Sequence, residues 1–215
     1  MKETKFDQWA KNYENDINLL KDQYPFAGYF DIIEVIKKKI SEENLKNILD
    51  LGIGSGYMLS KVTDENQKCI GIDFSEKMLE IAGSKFKSKN LIRYDISKGI
   101  PDELKEERFD CILSAYTLHH FNQKEKIEII KSYSELINKG CFIIADIAFD
   151  SIDKMLIVKM DKNKNWDEEE EGGYIIFDSF SECLEENNIK YEYKKMSYCS
   201  GIFIIEIQNN KMIKY

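Results

Sequence analysis

The sequence predicts an α/β protein with a mostly parallel sheet wound on both faces by helices. Three observations carry that prediction. Residues 47–73 read as a strand, a glycine-rich turn, a helix and a second strand that stops on an acid. Apolar strand-like runs and amphipathic helix-like segments then alternate without an internal repeat, the pattern of consecutive β-α-β units. Residues 141–145 form a continuous apolar run, suited to a strand buried on both faces of a parallel sheet.

Taken in order, the chain opens with Phe6, Trp9, Tyr13, Ile17 and Leu20 at three- and four-residue spacing, the stripe of an amphipathic helix. Residues 24–29 break that pattern, and Ile32, Ile33, Val35, Ile36 and Ile40 mark a second helix. Residues 1–44 are thus expected to form a helical cap before the first core strand. That strand, with Ile48, Leu49 and Leu51, is broken only by Asp50 and is followed at once by Gly52, Gly54 and Gly56. Glycines after a strand let the backbone turn tightly and approach a ligand, and the helix beginning there offers unpaired N–H groups to an anion or carboxylate. Tyr57, Met58, Leu59 and Val62 give that helix its apolar face, and residues 68–72 form a second strand ending on Asp73. An acid about 20 residues beyond the first glycine, at the end of the neighbouring strand, can accept hydrogen bonds from ribose hydroxyls. A dinucleotide loop would need its third glycine where Tyr57 stands, which argues against a nicotinamide-dependent oxidoreductase.

Ser75 is placed to cap a helix with Glu76 in its first turn and Met78, Leu79, Ala82 and Phe86 on one face. Residues 91–94 are a third strand ending on Asp95 and Ile96; Asp95 suits a ligand contact or a cap on the following turn. Pro101 opens a short helix, and residues 109–114 form a fourth strand. Both histidines of the chain, His119 and His120, follow that strand, so imidazole chemistry can come from nowhere else. Asn122 and Glu125 have capping-box spacing, Ile127, Ile130, Tyr133, Leu136 and Ile137 line one helical face, and Gly140 suits a left-handed C-cap. Past Asp146 the pattern loosens. The acid run from Glu168 to Glu171 reads as a solvated loop, or as a lid. Residues 178–186 look helical, and residues 190–196 and 202–207 look like a terminal hairpin.

Composition narrows the function classes. A chain of 215 residues, 43% hydrophobic with 2 prolines, fits one domain, with 45–150 as its core and 151–215 as an outer loop and hairpin. No apolar run approaches the roughly 18 residues of a membrane span, and no apolar leader is expected, so the reading is cytoplasmic. The 5 cysteines include no C-x-x-C pair, so neither a disulfide framework nor a metal site is expected. A net charge of −8 repels phosphate backbones and disfavours nucleic acid as a partner. The oligomeric state is left open.

The spacing Asp50-x-Gly52-x-Gly54-x-Gly56, the run Asp73-x-Ser75-x-x-Met78-Leu79-x-x-Ala82, and Phe109-Asp110 followed by Leu118-His119-His120 together resemble the class I S-adenosylmethionine-dependent methyltransferases. The resemblance implies a Rossmann-like, doubly wound sheet of seven strands, with an antiparallel C-terminal strand and an N-terminal helical cap. It implies S-adenosylmethionine as cofactor, with Gly52 and Gly54 at the methionine moiety, Asp73 at the ribose, Phe74, Asp95 and Ile96 at the adenine, and Tyr13 and Ser114 close by. Trp9-Ala10-Lys11-Asn12-Tyr13 resembles a family stretch that lies near the methionine carboxylate, although a helical aromatic stripe is more often core than site and packing is the preferred reading of the two aromatics. The implied activity is methyl transfer to a small-molecule acceptor by in-line displacement, with His119 and His120 as candidate catalytic groups. A non-catalytic cofactor binder, a sensor or partner subunit, is the alternative. No N-P-P-Y-like stretch follows the fourth strand, where Ser114-Ala115-Tyr116-Thr117 stands instead.

Overall fold

The structure is a computed structural model that describes residues 12–87, 90–161 and 166–209. Two helices, α1 (Tyr13–Leu19) and α2 (Tyr29–Glu42), precede the sheet. Then come β1 (Asn47–Leu51), α3 (Tyr57–Val62), β2 (Lys68–Asp73), α4 (Glu76–Ala82) and β3 (Leu91–Arg93). The second half holds β4 (Phe109–Ala115), α5 (Gln123–Ser134), β5 (Ile137–Phe149), α6 (Ile152–Met160), β6 (Ile175–Ile176), α7 (Phe177–Glu186), β7 (Glu192–Lys195) and β8 (Ser200–Gln208). The expected Phe6 and Trp9 positions lie outside the described residues; α1 takes up the same stripe from Tyr13.

The strands lie in the order β3-β2-β1-β4-β5-β8-β7, with β6 paired to β5 beside this path. The path therefore has the expected seven strands. β8 runs antiparallel to β5 and to β7, while the other pairings are parallel. The chain winds outward from β1 to β3 and then crosses back to β4, so the strand order reverses between β1 and β4. A crevice opens at such a switch point, at the carboxyl ends of the strands.

Alternating side chains divide the core between the two faces. Ile48, Cys111 and Ile143 pack with Ile32, Ile36 and Leu59 of α2 and α3, while Leu49, Ile112 and Phe142 pack with Ile127, Ile130 and Leu184 of α5 and α7. The local signals at helix starts act as expected. Ser75 Oγ accepts from the Met78 N–H at 3.2 Å, and Asn122 and Glu125 form a reciprocal capping box at 3.0 and 2.8 Å. Among the described residues no helix is long and apolar enough to cross a membrane.

Two elements differ from the sequence expectation. The helix over 123–137 stops at Ser134, and Gly140 lies inside β5 rather than at a helix cap. Strand β8 pairs with β5 all along Lys139–Ile147, and this partner from the far end of the chain outweighs local helical preference. A side chain at Gly140 would place its Cβ 1.9 Å from the Asp110 carbonyl oxygen, so the glycine serves close packing. Helix α6 has no counterpart in the sequence reading, because Ile152, Ile157 and Met160 point outward and no core-facing stripe announces it.

Candidate active site

The crevice between β1 and β4 is a cavity of about 560 Å³. Its floor is the glycine turn, which the N–H groups of Gly52 and Ile53 tie to the Ile72 carbonyl at 2.8 and 2.9 Å. Asp50 is buried on its wall, and Oδ1 has no hydrogen-bond partner among the described residues. Burial first, and the nearby Asp73 charge second, push its carboxyl up to about 8. A carboxyl in that condition is a seat for a cationic group. Gly54 has φ +54°, and open space stands where a Cβ would be, so the backbone is exposed to a ligand along this edge. Its N–H donates to Asp73 Oδ2 at 2.8 Å, and the Ser75 N–H donates to Oδ1 at 2.8 Å. Asp73 is thereby locked at the end of β2 with its carboxylate on the cavity. Burial raises its pKa against those backbone bonds.

Asp95 caps the turn that follows β3 and also stands on the cavity wall. Oδ1 accepts from the Ser97 N–H at 3.0 Å and from Ser97 Oγ at 2.7 Å, capping a short 3-10 turn, and the residue still lines the cavity. Phe74, Ile96, Gly52 and Tyr13 line it too. Ser114 is not on the wall: its hydroxyl donates to the Leu51 carbonyl at 3.3 Å, inside the sheet. Above the glycine turn stands an aromatic group of Tyr13, Phe26, Tyr29, Tyr57 and Tyr116. Ring centroids of Tyr13–Phe26, Phe26–Tyr116 and Tyr29–Tyr116 are 5.8, 5.6 and 5.1 Å apart. Tyr116 is held at φ +52°, an uncommon conformation for a bulky residue, which sets its ring against Phe26 and Tyr29.

The far wall carries a buried charged cluster. His119 Nδ1 bonds Asp146 Oδ1 at 2.6 Å, while the backbone N–H groups of His119 and Ile147 donate to the same carboxylate at 3.1 and 2.8 Å. Glu170 Oε2 lies 3.6 Å from His119 Nε2, and Oε1 lies 3.3 Å from His120 Nδ1. Burial alone would lower the His119 pKa, but Asp146 and Glu170 outweigh it and raise it to about 9. Burial and the His119 charge hold His120 below the ordinary imidazole value. Glu170 is therefore not part of a solvated loop, as the acid run suggested. The segment 166–174 folds back on the cavity because Tyr174 is buried and its hydroxyl bonds that of Tyr24, with Trp166 stacked on Tyr24 at 5.1 Å. Lys126, also buried, donates from Nζ to the carbonyls of Phe121 and Gly173, the latter at 2.6 Å. Reading the chain alone missed Asp146, Glu170 and Lys126 as site residues. Asp146 closes the polar end of an otherwise apolar run, which was the one available signal.

A family profile described as a methyltransferase domain matches residues 48–140. A methyltransferase of Anoxybacillus flavithermus is 33% identical over 145 residues, 67% of this chain and 66% of its own length. One from Bacillus mycoides is 34% identical over 157 residues, 69% of this chain and 70% of that protein. The chain belongs to the methyltransferase family. Its fold is also that of a solved methyltransferase, magnesium protoporphyrin IX methyltransferase of Synechocystis PCC 6803 with bound S-adenosylhomocysteine. That likeness has a TM-score of 0.67 at 18% identity and covers 94% of both chains. S-adenosylmethionine is the methyl donor of this methyltransferase family, and the cavity fits it. Asp50 Oδ1 is buried without a hydrogen-bond partner among the described residues and can accept from an ammonium group, open backbone stands at Gly54, and Asp73 faces the cavity.

Proposed function

We propose that this methyltransferase transfers a methyl group from S-adenosylmethionine to a small-molecule acceptor held against His119, His120 and Glu170. The observation that carries the reading is Asp50 with its unpaired buried oxygen, on the same cavity as Asp73 and opposite the charged cluster. In this reading Asp50 holds the amino group of the cofactor, Gly52 and Gly54 let the backbone approach its methionine end, Asp73 binds the ribose, and Phe74, Asp95 and Ile96 frame the adenine. Of the expected helical cap over 1–44, the described residues 12–44 cover the cofactor, and the described residues between 151 and 209 supply the acceptor side.

When bound, the cofactor supplies an electrophilic methyl group on a positive sulfur. The chain's own contribution is alignment, which accounts for roughly 7–11 kcal/mol of a barrier in favourable cases. Tyr13 and Tyr116 present aromatic faces to a cation, worth about 0.5–2 kcal/mol. His120, whose pKa burial and the His119 charge lower, presents a neutral imidazole to the acceptor side of the cavity. A cavity of about 560 Å³ falls in the range of small-molecule sites. A buried charged cluster facing the cofactor side favours an enzyme over a passive binder. The free cysteines Cys69, Cys111, Cys141, Cys183 and Cys199 fit a reducing, cytoplasmic setting.

Calorimetric titration with S-adenosylmethionine, S-adenosylhomocysteine and NAD tests the reading. The expected result is binding of both adenosyl ligands, none of NAD, and loss of adenosyl binding in Asp73→Ala. NAD binding alone, or unchanged affinity in Asp73→Ala, would overturn it.

A further inference from the structure

The geometry points to a divalent transition-metal site formed by His119, His120 and Glu170 on the far wall of the cavity. Each residue offers one ligand atom, and the three atoms lie within 4.8 Å of one another. His119 Nε2 lies 3.6 Å from Glu170 Oε2 and His120 Nδ1 lies 3.3 Å from Oε1, so the carboxylate reaches each imidazole through a different oxygen and can meet an ion between them. A tetrahedral ion with bonds of about 2.0–2.2 Å holds its ligands roughly 3.3–3.6 Å apart.

The surroundings are those a metal site needs. A ligating histidine commonly donates its other ring N–H to a carboxylate, which fixes the tautomer and aims the free nitrogen at the ion. Asp146 does this for His119 at 2.6 Å, and the backbone N–H groups of His119 and Ile147 hold that carboxylate in place. The two stretches that carry the ligands are far apart in sequence, and Lys126 ties them together through the carbonyls of Phe121 and Gly173. Two imidazoles and one carboxylate leave coordination positions open, as in catalytic rather than structural sites. All three ligands line the cavity, so those positions face it. The donor set suits zinc, iron, cobalt or manganese in the divalent state. On the methyl-transfer reading, on which this last step rests, the ion would take an oxygen donor of the acceptor.

The chain has only 2 histidines, so their ring signals report the site without any substitution. Protein dialysed against a chelator and titrated with Co²⁺ is expected to bind one equivalent, develop a visible d–d absorption, and show paramagnetic shifts of both imidazoles. His120→Ala and Glu170→Gln should each weaken Co²⁺ binding at least ~100-fold, and Asp146→Asn by roughly 10–100-fold as a positioning residue. Affinity for S-adenosylhomocysteine in these variants, within about twofold of the parent, verifies that they are folded. Absence of saturable Co²⁺ binding, histidine signals unmoved by Co²⁺, or equal affinity in His120→Ala and Glu170→Gln would overturn the site. Co²⁺ binding without adenosyl-ligand binding would overturn the cofactor reading and support the metal site, so the two fail separately.

Discussion

Asp50 and Asp73 are neighbouring buried carboxyls, and only Asp73 has backbone N–H donors to hold its charge. The folded Asp50 pKa of about 8 stands above that of an unfolded carboxyl, ~3.9. Between those values the unfolded chain has released the proton and the folded chain has kept it, so stability falls as pH rises from ~4 to about 8. Asp50→Asn is therefore expected to melt higher than the parent protein, by a margin that widens from pH 5 to pH 8. The same change should weaken S-adenosylhomocysteine binding by roughly 10–100-fold, the worth of a charge-assisted hydrogen bond of about 1.5–3 kcal/mol. Melting curves and calorimetry at the two pH values check both halves. The motif spacing made Gly54 and Asp73 legible as candidates, because strand, turn and acid are contiguous in sequence, whereas Asp50 was read only as the acid of the motif, since its lack of a partner is visible only in the fold. Ser114 fits the same strand pattern, but its hydroxyl is taken by the Leu51 carbonyl within the sheet. Glu170 was illegible, since in a run of four glutamates nothing local distinguishes the one that reaches the histidines.

Among the elements, α5 does more than cover the sheet. Its buried Lys126 satisfies carbonyls on the segments before and after it, and burial lowers its pKa to about 8. Lys126→Met keeps most of the bulk but leaves two acceptors without their donor, a cost of about 1–3 kcal/mol for each one that water cannot reach. The expected outcome is a lower denaturation midpoint and faster hydrogen exchange confined to residues 166–174, read by mass spectrometry. The strands from β1 to β4 were readable because each is a short apolar run flanked by turn residues. The length of β5 was not, because β8 imposes it from the other end of the chain. Helix α6 shows the converse limit, since apolar residues that face outward carry no core-facing pattern.

For the whole molecule, a ligand that binds only the folded state at 100 times its dissociation constant adds about 2.7 kcal/mol of stability. In a chain of this size that corresponds to a rise in Tm of roughly 5–10 °C. S-adenosylhomocysteine should produce that rise in a thermal melt, and NAD at equal concentration should leave the Tm unmoved. The winding of the sheet was legible from the alternation of elements, whereas the roofing of its crevice was not. That roof joins Tyr24, before the first strand, to Trp166 and Tyr174, after the fifth, and only folding brings them together. The division of labour along this roof has a consequence for specificity. The acids proposed to hold the cofactor stand at strand ends, where any change disturbs the core, while Glu170, Trp166 and Tyr174 sit on a connecting segment held by side-chain contacts to Tyr24, the two histidines, Lys126 and Lys159. On the proposed assignment, substitutions in that segment alone would change the acceptor while leaving the donor side intact.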